Sequence, residues 1–349
     1  MKTVVVGMSG GVDSSVAAYL LKKQGYNVIA LFMKNWDDKN CPAKEDFEDV
    51  RKVCEKLDIA YYTVNFSEEY FDNVFKKCLK DFENGKTPNP DILCNKEIKF
   101  NLFLKKALNL KADFLATGHY AQIDEHFNLL KAIDLNKDQS YFLYTLNKKI
   151  LEKVIFPIGH LKKEEVRKIA KEQNFINHNK KDSTGICFIG ERKFTNFLSD
   201  FISFKKGNIK SKDGKILGSH DGISFYTIGQ RKGLKIGGKG DAYFVYKKDA
   251  KTNTLYVCQG EDSKDLFSNT LIANNISWVN QFFDIATPFK CNAKIRYRQE
   301  DQECTIEKIE NDRIFVSFDK SQRAVTEGQS IVFYKNNICL GGAVIICTS

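Results

Sequence analysis

The sequence predicts an α/β protein: a Rossmann-like parallel-sheet domain first, then a small central domain, then a C-terminal antiparallel β-barrel. Three observations lead there. The apolar run at 3–6 passes through Gly7-Met8-Ser9-Gly10-Gly11-Val12-Asp13-Ser14-Ser15 into a helical pattern over 16–24, giving strand, glycine turn and helix. A second apolar run at 27–33 completes a βαβ unit, and short buried strands of this kind imply a parallel sheet covered on both faces. Beyond residue 200 helical spacing yields to short alternating runs with turn signals such as Asn311-Asp312 and Asn336-Asn337, the pattern of an antiparallel barrel. The expected divisions are 1–200, 201–266 and 267–349.

The glycine turn carries the first functional signal. Adjacent glycines let backbone approach an anion, and the N–H groups opening a helix point at it, so phosphate is the expected ligand. Asp13 adds a carboxylate suited to hold Mg²⁺ against phosphates, while Ser9, Ser14 and Ser15 offer hydroxyl donors or cap the helix. A serine-capped turn alone needs neither the acid nor both glycines. Met33, at a strand's carboxyl end, is placed to meet adenine.

Further along, 47–57 reads as a helix, 61–66 as a strand, and 67–85 as a helix begun by Ser67. Thr87-Pro88-Asn89-Pro90-Asp91 breaks the rhythm, since two prolines force extended backbone before helical spacing resumes near Ile98. Cys94 falls at or near that helix start, where the dipole, Lys96 and Lys99 favour thiolate; Asp91 is available for acid–base work. A loop cysteine alone is more often inert.

The strand at 113–117 ends in Gly118-His119-Tyr120, and His119 is either a turn residue or a binding residue. Lys137-Asp138-Gln139 is a solvated turn or an RNA contact, and 162–175 an amphipathic helix with a wet charged face. Gly185-Ile186-Cys187 then presents a second cysteine in a small turn. Gly233 to Lys239 fits part of a Walker A motif, but Gly240 stands where Ser or Thr is required and a strand pattern follows, so it is rejected as a nucleotide site. A strand over 292–298 carries Arg296, Tyr297 and Arg298, cations around an aromatic ring.

Composition sets bounds rather than function. The 349 residues suffice for two or three domains, and the net charge of +10 is compatible with a polyanionic partner. No apolar stretch has the ~20 residues of a membrane span, so a cytoplasmic protein without membrane attachment is expected. Ten cysteines include no C-x-x-C pair and only five histidines accompany them, which argues against zinc.

The Ser-Gly-Gly-Val-Asp-Ser run resembles the pyrophosphate loop of the N-type ATP pyrophosphatases. Together with Asn89-Pro90-Asp91, Cys94, Lys137-Asp138-Gln139, the Ser-Thr-Gly-Ile-Cys-Phe-Ile run around Cys187, Ile228-Gly229-Gln230-Arg231 and Arg296-Tyr297, it resembles the bacterial tRNA-specific 2-thiouridylases over nearly the whole chain. That resemblance implies ATP-dependent 2-thiolation of the tRNA wobble uridine: adenylation of the uracil C2 oxygen, then sulfur transfer from a cysteine persulfide. It implies that Gly7, Met8, Ser9, Gly10, Gly11, Val12, Asp13, Ser14, Met33 and Gly118 bind ATP, with Mg²⁺ on Asp13. Catalysis is expected of Cys94, Cys187 and Asp91. Asn89, Pro90 and Asp91 would meet the target base, and His119, Lys137, Asp138, Gln139, Arg296, Tyr297 and Gln329 would contact tRNA of the Lys, Glu or Gln type. The sulfur donor would be a cysteine desulfurase or relay protein. Two other readings stay open: an amide-forming ligase of the same superfamily, and an RNA-binding protein that holds ATP without consuming it.

Overall fold

The computed structural model describes residues 1–36, 43–182, 194–202, 204–237, 239–280 and 285–348; Cys187 and its neighbours lie outside them. Strands β1 (Thr3–Met8), β2 (Asn27–Lys34), β3 (Ala60–Asn65), β4 (Phe114–Thr117), β5 (Ala121–Ile123), β6 (Leu129–Lys131) and β7 (Val154–Ile155) come first. Five form an all-parallel sheet in the order β3-β2-β1-β4-β7. The chain winds outward from β1 through β2 and β3, then returns to β4 on the other side. This reversal opens a crevice beyond the carboxyl ends of β1 and β4, where α/β sheets place their ligands.

Alternation along β1 sends side chains to both faces. Val4, Val6 and Met8 pack with helices α1 (Val12–Lys23) and α2 (Ala43–Leu57) and with Val166 and Ala170 of the helix Lys163–Glu172. Val5, Leu31 and Leu115 face the helical runs at 67–83 and 90–109. Both runs depart from regular spacing through π segments, Phe71–Phe75 and Asn95–Phe103, and the second starts directly after Cys94.

Strands β8 (Gly207–Lys210), β9 (Ile216–His220), β10 (Tyr243–Asp249) and β11 (Thr254–Gln259) make a mixed sheet ordered β10-β11-β8-β9 with its own core around Ile209, Val245 and Leu255. The Gly233 to Lys239 stretch leads into β10 and not into a helix, as its rejection as a phosphate loop requires.

The last six strands, β12 (Phe267–Trp278), β13 (Phe289–Lys294), β14 (Gln302–Glu310), β15 (Arg313–Arg323), β16 (Ser330–Lys335) and β17 (Ile338–Thr348), close into an antiparallel barrel through the β12–β17 pairing. Asn311 and Asp312 both adopt positive φ, +49° and +57°, as a tight hairpin turn between β14 and β15 demands. One expectation is corrected here. Arg296, Tyr297 and Arg298 do not lie on a strand: β13 ends at Lys294, the Ile295 N–H donates to Gln299 Oε1 (2.8 Å), and Arg298 turns to φ +64°.

The β5–β6 hairpin was not anticipated. It leaves the first domain and pairs with β17, Leu129 against Cys339 and Leu130 against Ile338. Val332, Tyr334 and Cys339 of the barrel thereby join the same buried cluster as Ile98 and Phe103.

Candidate active site

The glycine loop caps the crevice. Gly11 is the N-cap of α1 without a side-chain cap bond, so the serines do not cap the helix. They brace the loop instead: Ser9 N–H donates to Ser14 Oγ (3.2 Å), and the Ser14 and Ser15 hydroxyls donate to the Gly11 carbonyl (3.1 and 3.0 Å). Gly10 sits at φ +75°, and a Cβ there would lie 2.6 Å from the Asp46 carbonyl of α2. Gly118 is as constrained: a Cβ would meet Ser14 N at 2.8 Å, so only glycine lets the end of β4 close against the start of α1. Behind the loop, buried Asn177 donates through Nδ2 to the Gly10 carbonyl and Ser15 Oγ, both at 2.9 Å.

Asp13 projects from the first turn of α1. Lys163 Nζ reaches both of its oxygens at 2.7 and 2.8 Å, and the Tyr120 hydroxyl donates at 2.9 Å. Burial and the adjacent carboxylate keep that phenol protonated, so it acts as donor. Lys163 also binds Asp182 (2.8 Å), which Lys137 (2.7 Å) and Arg167 (2.9 Å) hold as well. Burial alone would raise the Asp182 pKa, but the hydrogen bonds and charges of Lys137 and Lys163 prevail and bring it to about 2. A carboxylate–lysine–carboxylate chain thus links the glycine loop to the last described residue before the Cys187 segment. Of its members the sequence reading named Asp13 and Lys137 and missed Lys163, Asp182 and Tyr120. Lys163 belongs to a helix face expected to be wet, yet it is 8 % exposed. The available signal was its place: a cation in a helix's first turn opposes the dipole and needs a compensating anion.

The Thr87–Asp91 loop leads into the helical run at 90–109. Asn89 is the N-cap, its Oδ1 accepting from the Asp91 and Ile92 N–H groups (3.2 and 3.3 Å), with Pro90 in the first turn. Asp91 is half-buried, and desolvation raises its pKa against the opposing charge of Lys99. Cys94 was expected at or near a helix start; it lies in the second turn of the helix that opens at Pro90 and is 2 % exposed. Its reason for burial is the amphipathic face it shares with Ile98.

The remaining residues divide by accessibility. His119 Nδ1 pairs with Thr117 Oγ1 (2.7 Å) between the Phe100 and Phe156 rings, and burial with the Lys99 charge pushes its pKa well below the usual range, so it is neutral at pH 7. Asp138 is buried and accepts from Ala132 N–H, Ser140 N–H and Ser140 Oγ, holding its own turn. Gln139 exchanges bonds with the Tyr120 backbone, N–H to carbonyl at 2.7 Å and Oε1 from N–H at 2.9 Å. Arg296 and Arg298 are exposed around Tyr297, whose ring rests 4.4 Å from that of Phe142. Met33 is half-buried at the end of β2. Among the described residues no group of three or more His, Cys, Asp or Glu side chains is arranged to hold a metal.

Comparison with known proteins adds to this geometry. Residues 2–191 match the tRNA methyl transferase HUP domain, 195–259 the tRNA methyl transferase PRC-barrel domain, and 268–345 the aminomethyltransferase beta-barrel domain. The chain is 56 % identical over 352 residues to the tRNA-specific 2-thiouridylase MnmA of Protochlamydia amoebophila, spanning 99 % of this chain and 93 % of that one. It is 56 % identical over 353 residues to MnmA 1 of Geobacillus kaustophilus, spanning 99 % and 95 %. A solved U34-tRNA thiolase NcsA from Methanococcus maripaludis, with its [4Fe-4S] cluster, overlaps 57 % of this chain and 63 % of its own at 23 % identity and a TM-score of 0.38, too distant for residue roles to be transferred.

Proposed function

Because this chain belongs to the bacterial tRNA-specific 2-thiouridylases, we propose that its reaction runs through Asp13, Asp91, Cys94 and Cys187. The enzyme replaces the C2 oxygen of the tRNA wobble uridine by sulfur, converting ATP to AMP and pyrophosphate. That oxygen leaves poorly, so it first attacks the α-phosphorus, pyrophosphate departs, and C2 then carries AMP as its leaving group. The single observation carrying this assignment is the Asp13–Lys163 pair at the sheet's switch point, beside a turn in which Gly10 admits no side chain.

In this reading the backbone N–H groups of 9–14 and the start of α1 receive the phosphates, with Met33 and Gly118 lining the nucleotide. Mg²⁺ prefers carboxylate, phosphate and water oxygens, and Asp13 offers the carboxylate. The ion would neutralise charge on the departing pyrophosphate. Lys163 then exchanges Asp13 for phosphate while keeping Asp182.

Asp91, whose burial favours the protonated form, gives and takes the uracil proton, and Asn89 and Pro90 frame the base. Cys94 is closed to a donor protein by its burial, which leaves the persulfide to Cys187. Either the terminal persulfide sulfur attacks C2, AMP leaves, and Cys94 thiolate attacks the Cys187 sulfur to release 2-thiouridine; or Cys94 first frees hydrosulfide, which attacks C2. Both routes leave a Cys94–Cys187 disulfide, which an external thiol must reduce with two electrons. Arg296 is the exposed tRNA contact, Lys137, Tyr297, His119, Gln139 and Gln329 are half-buried ones, and buried Asp138 shapes the surface from within. The substrates are tRNAs of the Lys, Glu and Gln type, the sulfur comes from a cysteine desulfurase or relay protein, and the compartment is the cytoplasm; no helix among the described residues is long and apolar enough to cross a membrane.

Nucleoside mass spectrometry tests the assignment, using unthiolated tRNA, ATP, Mg²⁺, cysteine and a cysteine desulfurase. Wild type is expected to form 2-thiouridine, and Asp13→Ala and Cys187→Ser to form none. Thiolation by Cys187→Ser at the wild-type rate would remove that thiol from the path, and activity of Asp13→Ala would remove the loop acid.

A further inference from the structure

The loop that ends at Asp91 is not held by its own domain alone. The Thr87 N–H donates to the Glu327 carbonyl (2.9 Å), and Gln329 Nε2 donates to the Thr87 carbonyl (2.9 Å). One residue of the first domain is therefore gripped at both backbone polar groups by the barrel. Between the two gripping residues, Gly328 stands at φ +88°, and a Cβ there would lie 3.0 Å from Thr87 N, C and O. Only glycine permits so close an approach.

The gripping segment is itself fastened. Gly328 N–H donates to the Ile345 carbonyl (2.9 Å), Ile345 N–H returns to the Gln329 carbonyl (2.8 Å), and Gln329 N–H reaches the Thr326 carbonyl (3.2 Å). On the other side, Pro88 and Pro90 restrict the backbone linking Thr87 to the Asn89 cap. A shift at Thr87 is thus passed to Asn89 and Asp91 and not absorbed by slack.

We propose that Glu327, Gly328 and Gln329 are positioning residues of the thiolation reaction: the barrel splints Thr87 so that Asn89 and Asp91 meet the target base in register. This rests on the assignment of the Asn89–Asp91 turn to that base. It gives the barrel a share in the chemical step beyond holding RNA. The Gln329 carboxamide meets two demands, because Nε2 serves Thr87 while the group as a whole remains available to tRNA.

The test uses the full-length enzyme with Gly328→Ala, reading the rate of AMP release (kcat) under saturating ATP and tRNA, tRNA Kd, and melting temperature. AMP formation is expected to fall about 10- to 100-fold, the scale of an ångström-level misplacement, with tRNA Kd unchanged. Unchanged kcat, or kcat loss matched by an equal loss of tRNA affinity, would overturn the inference. Should Gly328→Ala fail to fold, Thr87→Pro deletes the N–H given to Glu327, while also fixing φ at 87 and restricting Lys86, and is read by the same two criteria. Asp91→Asn runs alongside: if it retains full activity, the base assignment fails, whereas loss there with an unaffected Gly328→Ala sinks the splint alone.

Discussion

Lys163 shows how much one side chain decides. Its side chain is 10 % exposed and its ammonium is shared between Asp13 and Asp182, whose side chains are each 31 % exposed, so it ties the two acids together in the crevice. Removing it leaves Asp13 with the Tyr120 hydroxyl alone among these partners, while Asp182 keeps Lys137 and Arg167, and it deletes the cation placed beside the phosphate loop. Lys163→Met is expected to slow AMP formation by about 10²-fold and to lower the melting temperature. Lys163→Arg should restore much of the stability, since its fork pairs well with a carboxylate, and little of the rate, because the longer, rigid planar group does not replace a compact ammonium that must pass from Asp13 to phosphate. Equal recovery of both would mean that the residue supplies charge without geometry.

At the scale of elements, the turn between β1 and α1 is the sharpest case. Gly10 and Gly25 both occupy left-handed conformations, φ +75° and +87°, but a Cβ on Gly10 would strike α2 while one on Gly25 meets nothing within 4 Å. Gly25→Ala is therefore expected to cost only the backbone strain, about 1–3 kcal/mol. Gly10→Ala adds displacement of α2 and should lose more in a denaturant titration, together with ATP-dependent AMP formation. Similar losses for both would show that α2 yields freely. Such turns were legible in the sequence because glycine spacing is local, as was the Asn311-Asp312 hairpin. The β5–β6 hairpin was not, since three-residue strands leave no periodicity and this pair is stable only against β17, about 200 positions away in the chain. Arg296 to Arg298 read as a strand because their alternation matched one; in the fold the Ile295 N–H donates to Gln299 Oε1 instead of to a neighbouring strand.

For the whole molecule the question is how three units hold one geometry. The barrel shares a core with the first domain, while the central domain leans on both through a junction where Lys248 donates to the Tyr226 carbonyl (2.7 Å) near Gly85 and Glu327. Burial lowers the Lys248 pKa from 10.5 to about 8 despite the favourable Glu327 charge. Between those values the unfolded chain binds more protons than the folded one, so the contribution of this position to stability rises with pH across that window. Lys248→Met is accordingly expected to be stabilising relative to wild type at pH 7, with the difference shrinking as pH goes from 8 toward 10.5. A difference constant across this range would show that Lys248 does not lose its proton in the folded junction.

The sequence by itself determined the parallel sheet, the glycine loop with Asp13, the proline-marked break before Cys94 and the family, because each is written in short-range patterns of glycine, proline and apolar spacing. Tertiary structure alone decided that Lys163 and Asp182 complete the loop, that Cys94 is buried, and that the barrel grips Thr87. The Lys163–Asp13 and Gln329–Thr87 contacts join residues 150 and 242 positions apart, and no local pattern records which distant charge or carbonyl will arrive.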